Sequence, residues 1–208
     1  MDDDPLLQQR LSVHLPATVL GRLRERYAEP HRHYHTWSHI LACLDAKDQL
    51  TDAVVPEVDL ALLFHDAVYD PRAGSGENEE RSAELLLEEG RRAWLDDAML
   101  RRAQALVRAT AHGLAAAPAD EEDDAVQACV VLDADLSILG ADPATFDAYE
   151  TAIRQEYAAV DDAAFAAGRA HVLRAFLARP LIYRTRRGQR LWEAGARSNL
   201  ERSLARWG

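Results

Sequence analysis

Almost every long segment of this chain places its apolar residues at helical spacing, and that periodicity confines the fold to helices. Apolar positions recur at i, i+3, i+4 and i+7 over residues 6–27, 34–50, 56–64, 78–89, 95–111, 124–132, 145–159, 162–177 and 188–206. Between them stand breakers: Pro30, Pro56, Pro71 with Gly74 and Gly76, Gly90, Gly113 with Pro118, Gly140 with Pro143, and Pro180. Runs of β-branched residues are as short as Val54-Val55, whereas alanine, leucine, glutamate and arginine, all strong helix formers, dominate. The pattern predicts an all-α bundle of about eight or nine helices. At 208 residues the chain is long enough to bury a core as a single domain spanning 1–208. The acidic cluster Glu121-Glu-Asp-Asp124 reads as a helix N-terminus, where carboxylates meet the positive end of the helix dipole.

Charge narrows the partners. A formal net charge of -11 argues against nucleic acid, because phosphate-backbone binding needs a basic surface. The average hides an asymmetry, since from Gly168 onward ten arginines stand against only Glu193 and Glu201. An anionic small molecule is one reading of that segment; solvated helix faces and ion pairs are the other. Cys43 and Cys129 each fall inside an apolar helical pattern and read as small buried hydrophobes rather than a redox pair. The opening Met1-Asp-Asp-Asp-Pro5 lacks the basic and apolar regions of a signal peptide, and no segment has the length of a membrane span. The expectation is a cytoplasmic protein with no membrane partner.

Chemistry concentrates in a few places. In the run Leu60-Ala-Leu-Leu-Phe-His-Asp-Ala-Val-Tyr69, His65 and Asp66 close an apolar helix, a position packing alone explains poorly. Adjacent helical residues diverge by about 100°, so both can reach one ion only where the helix ends, and Ala67-Val-Tyr-Asp-Pro71 supplies that ending. Upstream lie His31, His33, His35 and His39; His35 and His39, four apart, project from one helix face, and either could reach a metal. Asp133-Ala-Asp135 brings a further carboxylate to the end of the apolar run Val130-Val-Leu132. Two imidazoles and two carboxylates suit one divalent ion, Mn, Fe, Co, Ni or Zn, with Mg also possible.

The ordered set His39, His65-Asp66 and Asp135 resembles the H…HD…D signature of the HD-domain superfamily of metal-dependent phosphohydrolases. His33-Tyr-His-Thr-Trp-Ser-His-Ile40, Phe64-His-Asp-Ala-Val-Tyr-Asp70, Glu77-Asn-Glu79 with Ser82-Ala83, Ala109-Thr-Ala-His112, Asp133-Ala-Asp-Leu-Ser-Ile-Leu-Gly140, Ile153-Arg-Gln-Glu-Tyr157 and Ala196-Arg-Ser-Asn199 extend the likeness, to a branch of predicted HD phosphohydrolases, from about residue 20 to 204.

The resemblance implies an HD-like helical bundle in which His39, His65, Asp66 and Asp135 ligate the metal. Asp135 is preferred to Asp133 because the matching aspartate follows a small residue and precedes an apolar one. Dinuclear relatives add two histidines between the HD pair and the last aspartate; only His112 stands in such a place, and the other region reads Glu77-Asn-Glu79. One ion is therefore expected. The implied reaction is hydrolysis of a small phosphorylated molecule, with nucleotides among the candidates, by metal-activated water that Asp66 orients. His112 is assigned to positioning a phosphate or protonating the leaving group, Glu79 to supporting the metal ligands or activating water, and His35 to facing the substrate or supporting the ligands rather than to ligating the ion. Arg197, Arg184 and Arg169, with Tyr183, are candidates for holding phosphoryl oxygens, although Arg197 could instead pair with Glu193 one turn away. A nucleotide- or metal-binding regulatory module without turnover is the alternative, and a dinuclear iron oxygenase a more distant one.

Overall fold

The computed structural model describes Leu7, Arg10, Leu11 and residues 15–111 and 122–208. These residues form nine α-helices and no strand: α1 (Ala17–Tyr27), α2 (Trp37–Leu50), α3 (Pro56–Phe64), α4 (Glu77–Arg92), α5 (Asp97–Ala109), α6 (Glu122–Asp135), α7 (Pro143–Glu156), α8 (Asp162–Leu177) and α9 (Arg186–Trp207). A 3₁₀ turn, Leu136–Gly140, continues directly from α6. Local chemistry sets several of the boundaries. Pro56 at the first turn starts α3, and the carboxylates of Asp96, Asp142 and Asp161 accept backbone N–H groups at the starts of α5, α7 and α8.

Two expected elements are shorter than their apolar pattern. The segment 6–27 is not one helix: Leu11, Leu15 and Pro16 lie outside it, and α1 begins only after Pro16, whose φ of -56° and ψ of 142° are those of extended chain. The proline ring also drives the residue before it away from helical geometry, which the apolar spacing alone does not register. Likewise Tyr34 and His35 precede α2, whose N-cap is Thr36.

α3 is the centre of the bundle, packed against α2, α4, α5 and α6. Its residues from Glu57 to Phe64 are all buried, and Leu60, Leu62, Leu63 and Phe64 are wholly inaccessible. The charges it buries are paired: Asp59 with Lys47 Nζ at 2.8 Å, and Glu57 with Arg102, whose Nε is 2.9 Å away. A second apolar cluster joins the 3₁₀ turn to α7, α8 and α9, and Trp192 packs against both. Backbone there comes very close: a Cβ on Gly140 would lie 2.4 Å from Trp192 Cβ, so only glycine allows the turn to rest on α9.

Candidate metal centre

Three separate segments bring their donors to one point. His39 comes from the first turns of α2, His65 and Asp66 from the end of α3, and Asp135 from the last residue of α6. His39 Nε2 lies 3.2 Å from His65 Nε2 and 3.2 Å from Asp135 Oδ1. Asp66 Oδ2 is 3.5 Å from His39 Nε2 and 3.0 Å from His65 Nε2, and Asp135 Oδ1 is 3.3 Å from His65 Nε2. Atoms held about 2.1 Å from a single ion stand about 3.0 Å apart at right angles and about 3.4 Å apart at the tetrahedral angle. The observed separations fit that spacing, and His39, His65 and Asp135, grouped with Cys43 within 4.8 Å, could hold a metal ion, with Asp66 beside the two histidines.

The donors are also oriented for it. His65 Nδ1 lies 3.0 Å from the Leu62 carbonyl, which fixes that nitrogen as the N–H and leaves Nε2 with its lone pair toward the cluster. Arg32, buried among its neighbours, sends its guanidinium to the carbonyls of His35, Asp66 and Ala67 at 3.0, 2.7 and 3.2 Å. It thereby satisfies backbone acceptors beyond the end of α3 and holds the turn from which the Asp66 carboxylate reaches the histidines. The first turns of α4 clasp the far side of this loop, with Ser82 Oγ accepting from Val68 N and Asn78 Oδ1 from Asp70 N, each at 3.0 Å.

A cluster with this composition binds protons strongly when only protons are available. Burial opposes the imidazolium of His39, but Cys43, Tyr34, Asp135 and Asp66 outweigh it and hold His39 well above its ordinary pKa. His65 is raised likewise, Asp66 and Asp135 overcoming its burial. Burial also opposes the Asp66 carboxylate, yet the imidazoles of His65, His35 and His39 hold it well below the usual carboxylate range. A divalent cation answers the same demand for positive charge.

Of the two candidate aspartates on α6, Asp135 faces the histidines and Asp133 does not. The Asp133 carboxylate accepts the backbone N–H groups of Arg184 and Thr185 at 2.8 and 2.7 Å and the Thr185 hydroxyl at 2.7 Å. It ties α6 to the start of α9.

Beside the donors opens a cavity of about 570 Å³ that His35, His65, Asp66, Glu79 and Asp135 line on the metal side. His39 instead lines a second cavity of about 520 Å³, and Tyr34, Ile138 and Tyr149 contribute to the walls of both. His35 reaches the first cavity from the loop before α2, not from the helix face that its spacing from His39 predicts. Glu156 holds it there: one carboxylate oxygen accepts the backbone N–H groups of His33, Tyr34 and His35 at 2.8, 2.7 and 2.9 Å. The other lies 2.6 Å from His35 Nδ1 and accepts the Tyr69 hydroxyl at 2.9 Å. Burial would push Glu156 up, but the His35 contacts and these amides pull its pKa down to about 2.

Of the arginines and the tyrosine expected to hold phosphate, Arg169 alone lines the cavity. Arg197 donates from Nε to Glu193 at 2.9 Å and from its terminal nitrogens to the carbonyls of Leu177, Arg179 and Pro180. Tyr183 is buried and donates to the Leu136 carbonyl at 3.0 Å, while the exposed Arg184 gives Asp133 its backbone N–H. None of the three lines the cavity. Arg169 does, but it is engaged with the buried Glu150 and with the Tyr149 hydroxyl, 3.0 Å from its Nη2. Glu79 is brought to the cavity wall, and His112 lies outside the described residues.

Sequence reasoning missed Arg32, Glu156 and the position of Cys43. The Cys43 thiol is not mere packing: Sγ lies 3.6 Å from His39 Nε2, and Cys43 joins His39, His65 and Asp135 as a potential ligand. Its spacing four residues after His39 on α2 was the available signal. Cys129, by contrast, is only partly buried, and both thiols are free. Among the described residues no helix is long and apolar enough to cross a membrane. Comparisons with family models, curated proteins and solved structures found no match for this chain.

Proposed function

We propose that this chain is a metal-dependent phosphohydrolase of the HD type, acting on a small phosphorylated molecule in the cavity beside His65, Asp66 and Asp135. The observation that carries this reading is the convergence of two imidazole nitrogens with each other and with two carboxylates at 3.0 to 3.5 Å, with His65, Asp66 and Asp135 on the edge of that cavity. A divalent ion bound there supplies Lewis acidity toward a water molecule and a phosphoryl oxygen. The chain's own groups do the rest. Asp66, at the cavity wall, accepts a hydrogen bond from the attacking water and orients it. His35, with Nδ1 engaged by Glu156, has Nε2 left to hand a proton to the departing oxygen. Glu79 stands on the same wall as a further acceptor for water.

Purified protein should be assayed with Mn²⁺, Ni²⁺, Co²⁺ or Zn²⁺ against a panel of phosphomonoesters and nucleotides, alongside His65→Ala and Asp66→Asn. Metal-dependent phosphate release that both variants lose supports the reading. Tight binding of a phosphorylated compound without turnover under any metal would replace it with a binding module.

A further inference from the structure

Resting on that reading, we infer that the substrate is a phosphomonoester of an apolar, aromatic-sized alcohol, and that its body seats against Gly168 on α8. Three features of the cavity lead there. Much of the wall is apolar: α8 presents Ala164, Phe165, Gly168, Val172 and Phe176 along one face, and α7 adds Ile153, with Tyr149 and Tyr157 the aromatic residues that also carry a hydroxyl on that side. A sugar or base would leave its hydroxyls and amides without partners against such a wall, a cost that an apolar body escapes.

Charge points the same way. Among the described residues the only lysine or arginine lining the cavity is Arg169, and Glu150 already neutralises it. Tyrosines aside, the other ionisable groups of the wall are the carboxylates of Asp66, Asp135 and Glu79 and the imidazoles of His35 and His65, which face the Asp66 carboxylate at the metal end. One divalent ion can offset a single phosphoryl group, whereas a polyphosphate would bring further negative charge beside carboxylates in a partly dehydrated space. That balance favours a monoester over a nucleoside triphosphate.

Gly168 supplies the third feature. It sits inside the sixteen-residue helix α8, where glycine is about 1 kcal/mol less favourable than alanine. Among the described residues a Cβ there meets nothing within 4 Å, so none of them demands the glycine. The space it leaves belongs to the cavity, whose volume of about 570 Å³ suits a bicyclic body beside a phosphate.

The test uses 1-naphthylphosphonate, which cannot be hydrolysed, with methylphosphonate as its small counterpart, titrated by calorimetry into the Mn²⁺-loaded protein. The naphthyl probe should bind at least tenfold more tightly, and Gly168→Leu should remove that advantage while leaving methylphosphonate binding unchanged. Gly168→Ala, which restores helix propensity, should raise the melting temperature and weaken the naphthyl probe less than leucine does. Val172→Phe should reproduce the leucine effect from the neighbouring turn. Naphthyl binding untouched by all three substitutions, or ATP bound more tightly than the naphthyl probe, overturns the inference. Gly168-dependent binding without hydrolysis of 1-naphthyl phosphate upholds the pocket and defeats the phosphohydrolase. Hydrolysis of ATP that Gly168→Leu leaves intact does the reverse.

Discussion

Glu156 Oε2 and His35 Nδ1, 121 residues apart in sequence, meet at 2.6 Å, and the same carboxylate gathers three backbone N–H groups and a tyrosine hydroxyl. One side chain at the end of α7 thus fixes the loop that carries a cavity-lining histidine. Because its pKa falls from 4.5 to about 2 on folding, Glu156 contributes stability that is complete above pH 4.5 and is lost as pH drops through the window down to about 2. The contribution is up to about 3 kcal/mol. Chemical unfolding of wild type and Glu156→Gln at pH 6 and pH 2.5 should show the wild type losing its advantage at the lower pH; equal differences at both would show that Glu156 is not held as described.

The ligand set makes its own prediction. His65→Ala and Asp66→Asn should each lower metal affinity by at least tenfold, with the helical circular dichroism largely retained. Mass-spectrometric metal analysis of protein equilibrated with limiting Mn²⁺ measures this, and full occupancy in either variant would show that other residues hold the ion.

Metal uptake should release protons. His39 and His65 are held well above their ordinary pKa when the cluster carries no ion, so near pH 7 an incoming cation displaces the protons they share with Asp66 and Asp135. Affinity should fall as pH falls, by up to about tenfold per unit for each proton displaced. Calorimetry in two buffers of different ionisation enthalpy gives the count, and buffer-independent heats would contradict the prediction.

Arg32→Met tests the support beneath Asp66. Methionine preserves much of the volume but leaves the carbonyls of His35, Asp66 and Ala67 without the guanidinium, at about 1–3 kcal/mol for the first buried acceptor left unpaired. The melting temperature should fall by several degrees, and metal affinity should fall with it. Unchanged metal affinity in a folded variant would mean that Asp66 is held by other means.

Gly140→Ala forces a Cβ to within 2.4 Å of Trp192. Overpacking of this kind costs about 1–3 kcal/mol, so denaturant unfolding should show a clear loss, whereas Gly21→Ala, whose Cβ meets nothing within 4 Å among the described residues, should be neutral or stabilising.

Much of this architecture was legible because local rules and tertiary demands agree. Pro56 starts α3 and a periodic apolar run continues it; Asp161 caps α8 where its pattern begins. Where a distant partner decides, the sequence was silent. Asp133 and Asp135 look alike beside one helix end, and only the amides of Arg184 and Thr185, some fifty residues away, assign Asp133 to them. His35 seemed to belong to α2 until Glu156 claimed three amides of the preceding loop. The basic composition after Gly168 indicated charge but not direction, so Arg197 turned to carbonyls and Glu193 rather than to the cavity. Arg32 carried no signal beyond its place between two histidines.

His65 takes its tautomer from the helix that ends in it. The Leu62 carbonyl fixes Nδ1 at 3.0 Å, and the Ala61 carbonyl accepts the His65 N–H at 2.9 Å. Fraying of that last turn therefore releases the backbone and disorients Nε2 in one event. Metal affinity at this corner and the local opening equilibrium of α3 are then thermodynamically linked, and amide exchange at His65 should slow as metal occupancy rises.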